Sequence, residues 1–488
     1  MKRRDENMKK RLYFTFVLAI ILLACSATST IEQAASSVQE AIASATNTEL
    51  PPTATNVPPT ATNIPPTATD VPPTETDIPP TDTQSSPDEP STTTTSEAGA
   101  SEPITLECAD ALGCVEVAPG QPITLAYMLT INGPTAFLGN DSLGGIEIAI
   151  ADQGEFLGHS IELIGEDSGC SAEGGQTAAT KVTNNQSVVG VIGTNCSSAA
   201  TAAIPVINNA GLTMCSPSNT APSLTDGGPN GFWQPGYFRT SHNDLFQGRI
   251  AAEFAYNILG ARSAATIHDG SPYADPLQAT FADRFAELGG SVTFQGEISY
   301  GDTDMRPVLT DAAAGSPHVL YFPIFEPEGD FIVAQSSEID GLKNTVLMGA
   351  DGLLVASFPG NAGENADGTY LTGPYVSGPA YDDFLDKWAS QIGGSPPSIF
   401  HAHAADCTNM LLDAIEASAQ IGDDGTILIG RQALRDSMEA TSGFVGLTGT
   451  LSCTANGDCA SGESLAIFEI TNDEIENGNW PPEAIWSP

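Results

Sequence analysis

Residues 188–215 read VVGVIGTNCSSAATAAIPVINNAGLTMC, and the order of textures in this stretch decides the fold. Residues 188–192 form an unbroken apolar run of strand length, and 193–198 are small and polar. Residues 199–209 repeat apolar side chains at helical spacing, and 212–215 are apolar again. A strand apolar on both faces, an amphipathic helix and a second such strand predict a βαβ unit, whose strands run parallel beneath helices.

The same alternation continues in both directions. Upstream, strands are expected at 123–129 and 161–165, with a turn at Ile131-Asn132-Gly133-Pro134 and helices at 143–152 and 175–184. Downstream, strands are expected at 263–268, 291–297, 318–322 and 345–349, with a helix at 276–288. Strands this numerous exceed one comfortable sheet, so the fold class is α/β, with two doubly wound parallel-sheet lobes. Ligands of such sheets bind beyond the carboxyl ends of the strands. The loops after Leu129, Ile192, Cys215, His268, Phe322 and Gly349 are therefore the candidate site.

The first hundred residues are of another kind. A basic start (Lys2, Arg3, Arg4, Lys9, Lys10, Arg11) precedes an apolar run at 12–23, too short for a ~30 Å bilayer core. It ends Leu22-Leu23-Ala24-Cys25, which resembles a bacterial lipobox: 1–24 is then a signal peptide and Cys25 the lipidated residue. Residues 51–85 are five proline-rich heptads beginning with PPTATNV. Two prolines per repeat exclude a helix and favour polyproline II, so 25–102 reads as a disordered stalk with a reach on the order of 100 Å.

Sixteen Lys+Arg against 60 Asp+Glu leave a net charge of −44, which repels nucleic acid and argues against a nucleic-acid partner. Apart from Cys25, eight of the nine cysteines remain, an even number that reads as disulfides in an exported chain. Cys108/Cys114 and Cys453/Cys459 each enclose five residues, the second around an Asn456-Gly457 turn. A metal site finds little support: no C-x-x-C or H-x-x-x-H pair occurs, and His401 and His403 face different ways on a helix.

The candidate loops carry a resemblance. Asn132-Gly133-Pro134, Glu166-Asp167-Ser168-Gly169-Cys170, Gly193-Thr194-Asn195-Cys196-Ser197-Ser198 and the run Ser216 to Pro222 come in that order. Phe238-Arg239-Thr240, His268-Asp269 before Tyr273, and Met348-Gly349-Ala350-Asp351-Gly352 follow. From about Pro122 to Trp480 the chain resembles a type I periplasmic binding protein of the leucine/isoleucine/valine-binding group. The resemblance implies two lobes joined by three hinge crossovers, near 241–244, 371–375 and 443–447. The lobes would be 103–242 plus 375–445, and 243–374 plus 446–488. It also implies a Cys170–Cys196 disulfide, which leaves Cys215 with Cys407.

Carried over residue by residue, the resemblance gives Ser197, Ser218 and Thr220 to an amino-acid carboxylate and Asp351 to the α-ammonium. Tyr273, Phe325 and Leu138 would wall the side-chain end; the family usually has Tyr at the last two. Ser197 and Thr220 would serve equally as helix cap and turn residues, and Tyr273, Phe325 and Leu138 equally as core; Asp351-Gly352 would also satisfy an ordinary turn, though its place after a core strand favours the ammonium role. Trp233, near the cleft, matches nothing in the family.

The implied function is an extracytoplasmic, lipid-anchored substrate-binding protein of an ABC transporter. It would bind a free amino acid, branched-chain or otherwise small and apolar, by hinge closure. Its partners would be that small molecule, a transporter permease and, through Cys25, the outer face of the bacterial cytoplasmic membrane. The alternative is a ligand-sensing receptor, or a binder of an amide, urea or short carboxylate. No cofactor is called for, and no nucleophile elbow or phosphate loop points to an enzyme. His268 and Asp269, adjacent on a strand, face opposite ways and make a poor relay for Ser197.

Overall fold

The strand Ile123–Leu129 (ITLAYML) and the strand Val188–Gly193 (VVGVIG) are almost wholly buried, as strands covered on both faces must be. They are the interior of a five-stranded parallel sheet in a computed structural model that describes residues 106–460 and 464–488. Its spatial order is Ile161–Asp167, Ile123–Leu129, Val188–Gly193, Thr213–Ser216, Tyr237–Arg239. The signal, lipidation and stalk expectations, Cys25 included, lie outside the described residues.

Helices cover the sheet because their apolar positions recur every three to four residues. Ser197–Asn209 buries Ala199, Ala200, Ala203, Ile204 and Ile207. Ala172–Asn184 buries Ala178, Ala179 and Val182. Its start is set by Ser171, whose hydroxyl accepts from Gly174 N–H, with Glu173 and Lys181 at the ends that suit the helix dipole. The opposite face is closed by Ala136–Gln153 and by His401–Ser418, which returns from far along the chain.

A second sheet has seven strands, in the order Ala484–Trp486, Leu465–Glu469, Tyr370–Pro374, Val346–Gly349, Val319–Tyr321, Ser263–His268, Ser291–Glu297. The last five are mutually parallel, while Leu465–Glu469 and Ala484–Trp486 are antiparallel additions at one side. Ser291–Glu297, at the other edge, alternates exposed and half-buried residues, as a strand covered on one face should. The aromatic rings of Phe281 and Tyr321 stack at 4.3 Å in this half.

The chain passes between the two sheets three times. It leaves the five-stranded sheet after Arg239, returns after Pro374, and reaches the seven-stranded sheet again only at Leu465–Glu469. The third passage therefore lies beyond the expected 443–447, and the second half does not begin at 446. Buried Arg239 is the reason. Its side chain pairs with Asp458 at 2.5 Å, and its backbone bonds to Gly457 and Cys459, which keeps 457–459 on the edge of the first sheet. Leu447 and Thr448 are held there too, by the buried carboxylate of Asp406.

All four bridges, Cys108–Cys114, Cys170–Cys196, Cys215–Cys407 and Cys453–Cys459, are present. Among the described residues no helix is long and apolar enough to cross a membrane.

Candidate functional site

The loops that follow the strands of the two sheets face one another, and a cavity of about 310 Å³ opens between them. Thr135, Cys170, Ser171 and Ser198 line it from the five-stranded half; Asp269, Ser271, Tyr300, Phe325 and Glu328 line it from the other. The volume is at the small end of ligand sites.

On the first side, Ser197 opens the helix Ser197–Asn209 and is buried. Its hydroxyl does not cap its own helix but accepts from Ala221 N–H at 3.3 Å, tying the helix head to the 216–222 loop. Ser218 exchanges hydrogen bonds with Asn195, donating to its carbonyl at 3.1 Å and accepting from its amide at 3.2 Å. Thr220 donates to Asp244 Oδ2 at 3.0 Å, a bond that leads toward the second half. Beneath this loop lies the fully buried guanidinium of Arg239, which donates to the carbonyls of Asn219 and Ala221 and to Thr225 Oγ1.

On the second side, Asp351 opens a short 3₁₀ turn after the strand Val346–Gly349 and is buried. Its Oδ1 accepts from Gln247 Nε2 and from the Tyr273 hydroxyl, both at 2.8 Å. Burial pushes the Asp351 carboxyl above its ordinary range. Burial, with the neighbouring Asp351 charge, does the same to the Tyr273 phenol. The Tyr273 and Phe325 rings stack at 4.9 Å. Gly352 makes room for them, since a Cβ there would sit 2.9 Å from the Phe325 ring and 3.2 Å from the Tyr273 oxygen. The Asp351-Gly352 turn thus places a carboxylate beside two stacked aromatic rings.

Leu138 lies in the first turn of Ala136–Gln153, buried with Cys196 and Phe400, and Phe325 and Ile399 pack against this cluster. An apolar wall therefore runs from one half to the other. Asp351, Tyr273, Phe325 and Leu138 are brought together; Thr220 is linked to them only through Asp244, and Ser218 bonds to Asn195 instead. Trp233 packs against the core of the five-stranded half.

Several residues of the site were not singled out from the sequence. Asp244 and Gln247 sit on the helix Asp244–Glu253, and both are fully buried. Gln247 Nε2 also donates to Thr372 O at 3.0 Å, while its carbonyl side bonds to His242. Asn195 accepts from Thr130 N–H and donates to Leu138 O and Ser142, so it fixes the loop beside Ser197. The His242, Asp244 and Asp351 donor atoms all lie within 4.8 Å of one another, a grouping compact enough for a cation, metal or organic. Burial lowers the His242 imidazole, so this residue stands as a neutral neighbour of the two carboxylates.

The periplasmic binding protein family model matches residues 122–474. The chain belongs to the periplasmic binding protein family. Among its relatives, the Leu/Ile/Val-binding protein of Citrobacter freundii is 28% identical over 365 residues, covering 74% of this chain and 94% of that one. The Leu/Ile/Val/Thr-binding protein of Salmonella typhimurium is 30% identical over 284 residues, covering 57% and 75%. The crystal structure of the leucine-binding protein LivK from Thermotoga maritima matches with a TM-score of 0.65 at 25% identity, covering 75% of this chain and 99% of that one. These periplasmic binding protein relatives are named as solute binders, not as enzymes.

Proposed function

We propose that this chain is the extracytoplasmic substrate-binding protein of an ABC transporter, and that it closes on a free amino acid with an apolar or small side chain. The observation that carries this reading is the buried Asp351 carboxylate, which stands at the head of an aromatic and aliphatic wall. Ser197, Ser218 and Thr220, near the N-terminus of Ser197–Asn209, suit the ligand carboxylate. Asp351 suits its ammonium; Tyr273, Phe325 and Leu138 enclose its side chain. The relatives named for leucine, isoleucine, valine and threonine binding support the same ligand class. Cys25 would anchor the chain at the outer face of the membrane, with 25–102 as the stalk and a permease as the partner that senses closure. The middle segment 243–374 would move as part of the second lobe, and 447–459 with the first.

Calorimetric titration of the full chain, stripped of carried-over ligand by unfolding and refolding, tests the reading. The panel is the common amino acids, short amides, urea and simple carboxylates. Tight binding of one branched-chain or small amino acid is expected. Binding confined to compounds without an ammonium group would remove Asp351 from its assigned role.

A further inference from the structure

The buried carboxylate Asp244 has one oxygen engaged and one left over, and Asp351 lies beside it. Asp244 Oδ2 accepts from Thr220, whereas its Oδ1 is buried with no hydrogen-bond partner. Asp351 Oδ1 takes both the Gln247 and the Tyr273 hydrogen bonds. The two residues, 0% and 3% exposed, sit within the same 4.8 Å grouping. No basic side chain forms an ion pair with either among the described residues. Arg239, whose charge reaches Asp244, is bound to Asp458 and to the carbonyls of the 216–222 loop. Two buried carboxylates this close do not both remain ionised unless a cation joins them.

We propose that Asp244 and Asp351 form a two-carboxylate receptor that exchanges a proton for the ligand's primary ammonium. Without ligand the pair shares one proton. The entering ammonium donates to both carboxylates, and the displaced proton passes to bulk solvent. No bond to carbon forms or breaks. This inference rests on the amino-acid reading above and sharpens it: the receptor demands a primary ammonium, so amides, urea and simple acids leave the shared proton in place.

The other charged or titratable groups around the pair do not compete for this role. His242 and His403 are kept neutral by burial, the latter lowered to about 3. Burial holds the phenols of Tyr273 and Tyr321 upward, and Arg239 and Asp458 are bonded to each other. Burial and the repulsion from Asp351 raise the Asp244 carboxyl well above its ordinary value, in keeping with a shared proton. The sign follows. Where the free pair holds its proton, binding releases it, so affinity rises with pH, by up to about tenfold per unit. Once the free pair has lost the proton, affinity is flat.

The experiment is calorimetry on the full-length protein from pH 5 to 8, with chelator present and in two buffers of different ionisation enthalpy at each pH. The probe is whichever of the twenty common amino acids binds most tightly. Close to one proton released per ligand is expected at the acid end, falling toward none as the pH rises. Asp244→Asn is expected to abolish the release, weaken binding about tenfold and flatten its pH dependence. Wild-type binding with no proton released at any pH overturns the exchange and leaves the amino-acid reading standing. A proton release seen only without chelator assigns the site to a metal ion and overturns it as well. Failure of all twenty amino acids to bind overturns both.

Discussion

All four disulfides lie within or against the half built on the five-stranded sheet, whereas the other half has none among its described residues and gathers buried acids instead. The first half does bury carboxylates, but it surrounds them with N–H donors. Asp141 accepts from Ser398 N–H, Phe400 N–H and the His401 ring, and Asp406 from Leu447 and Thr448. In the second half, Glu326 and Asp330 lie side by side, and burial and then the Glu326 charge push Asp330 up to about 8. The first half is thus fixed by covalent bonds and backbone donors, while in the second buried acids lie against one another. The cavity between the halves lies against both kinds of wall.

Four measurements sharpen or break this contrast. The largest effect is expected from Cys215→Ala combined with Cys407→Ala, which opens a link between residues 192 apart. Denaturant unfolding should show a loss of about 4 kcal/mol. Hydrogen exchange should speed in Ile123–Leu129 and Thr213–Ser216 and not in Val319–Tyr321. Equal loosening of both halves would erase the distinction.

Next comes Asp351→Ala, expected to weaken amino-acid binding by ~3 kcal/mol or more, because an ammonium is left without its partner. Calorimetry reads it directly, and an unchanged affinity would sink the amino-acid assignment. Leu138→Ala should then lower stability by about 2 kcal/mol, since it empties part of the cluster with Cys196 and Phe400. A thermal melt with no shift would mean that the cluster collapses freely around the gap.

The smallest effect is a slope. An unfolded Asp ionises near ~3.9, while Asp330 in the folded protein keeps its proton to about 8. Between these values the unfolded chain has released a proton that the folded chain still holds, so stability falls as pH rises. Asp330→Asn should flatten that fall in melts taken from pH 4 to 8. A wild-type curve already flat across this range would show that the second half is no more titratable than the first.

Much of the frame was legible from apolar runs alone. The strands Ile123–Leu129, Ser263–His268 and Ser291–Glu297 have the bounds that the sequence predicts. The helix Ala136–Gln153 begins earlier than expected; the stretch before Leu143 contains Gly139, Asn140 and Asp141, poor helix formers on their own. Packing overrides that preference: a Cβ at Gly139 would come within 2.0 Å of Thr130 O, so this helix needs its small residues to approach the strand. At the site, Ser197 and Leu138 were singled out although they lie on helices, whereas Asp244 and Gln247 were not. Asp244 and Gln247 look like the wet face of an amphipathic helix until the partner of Gln247, 104 residues away, is known. The third passage was misplaced for a like reason, since nothing near 443–447 reveals that Arg239 will hold Asp458.

The 192-residue separation of Cys215 and Cys407 also bears on how the chain is made. A chain emerging from its N-terminus presents Cys170, Cys196 and Cys215 long before Cys407 exists outside. Cys170 and Cys196 pair with each other, so Cys215 has no native partner until Cys407 is made. The first sheet can assemble early, but the helix His401–Ser418 that closes it arrives late, carrying the missing thiol. Correct pairing is therefore tied to completion of the first half's core, so the bridge records that the last large piece of that half has docked.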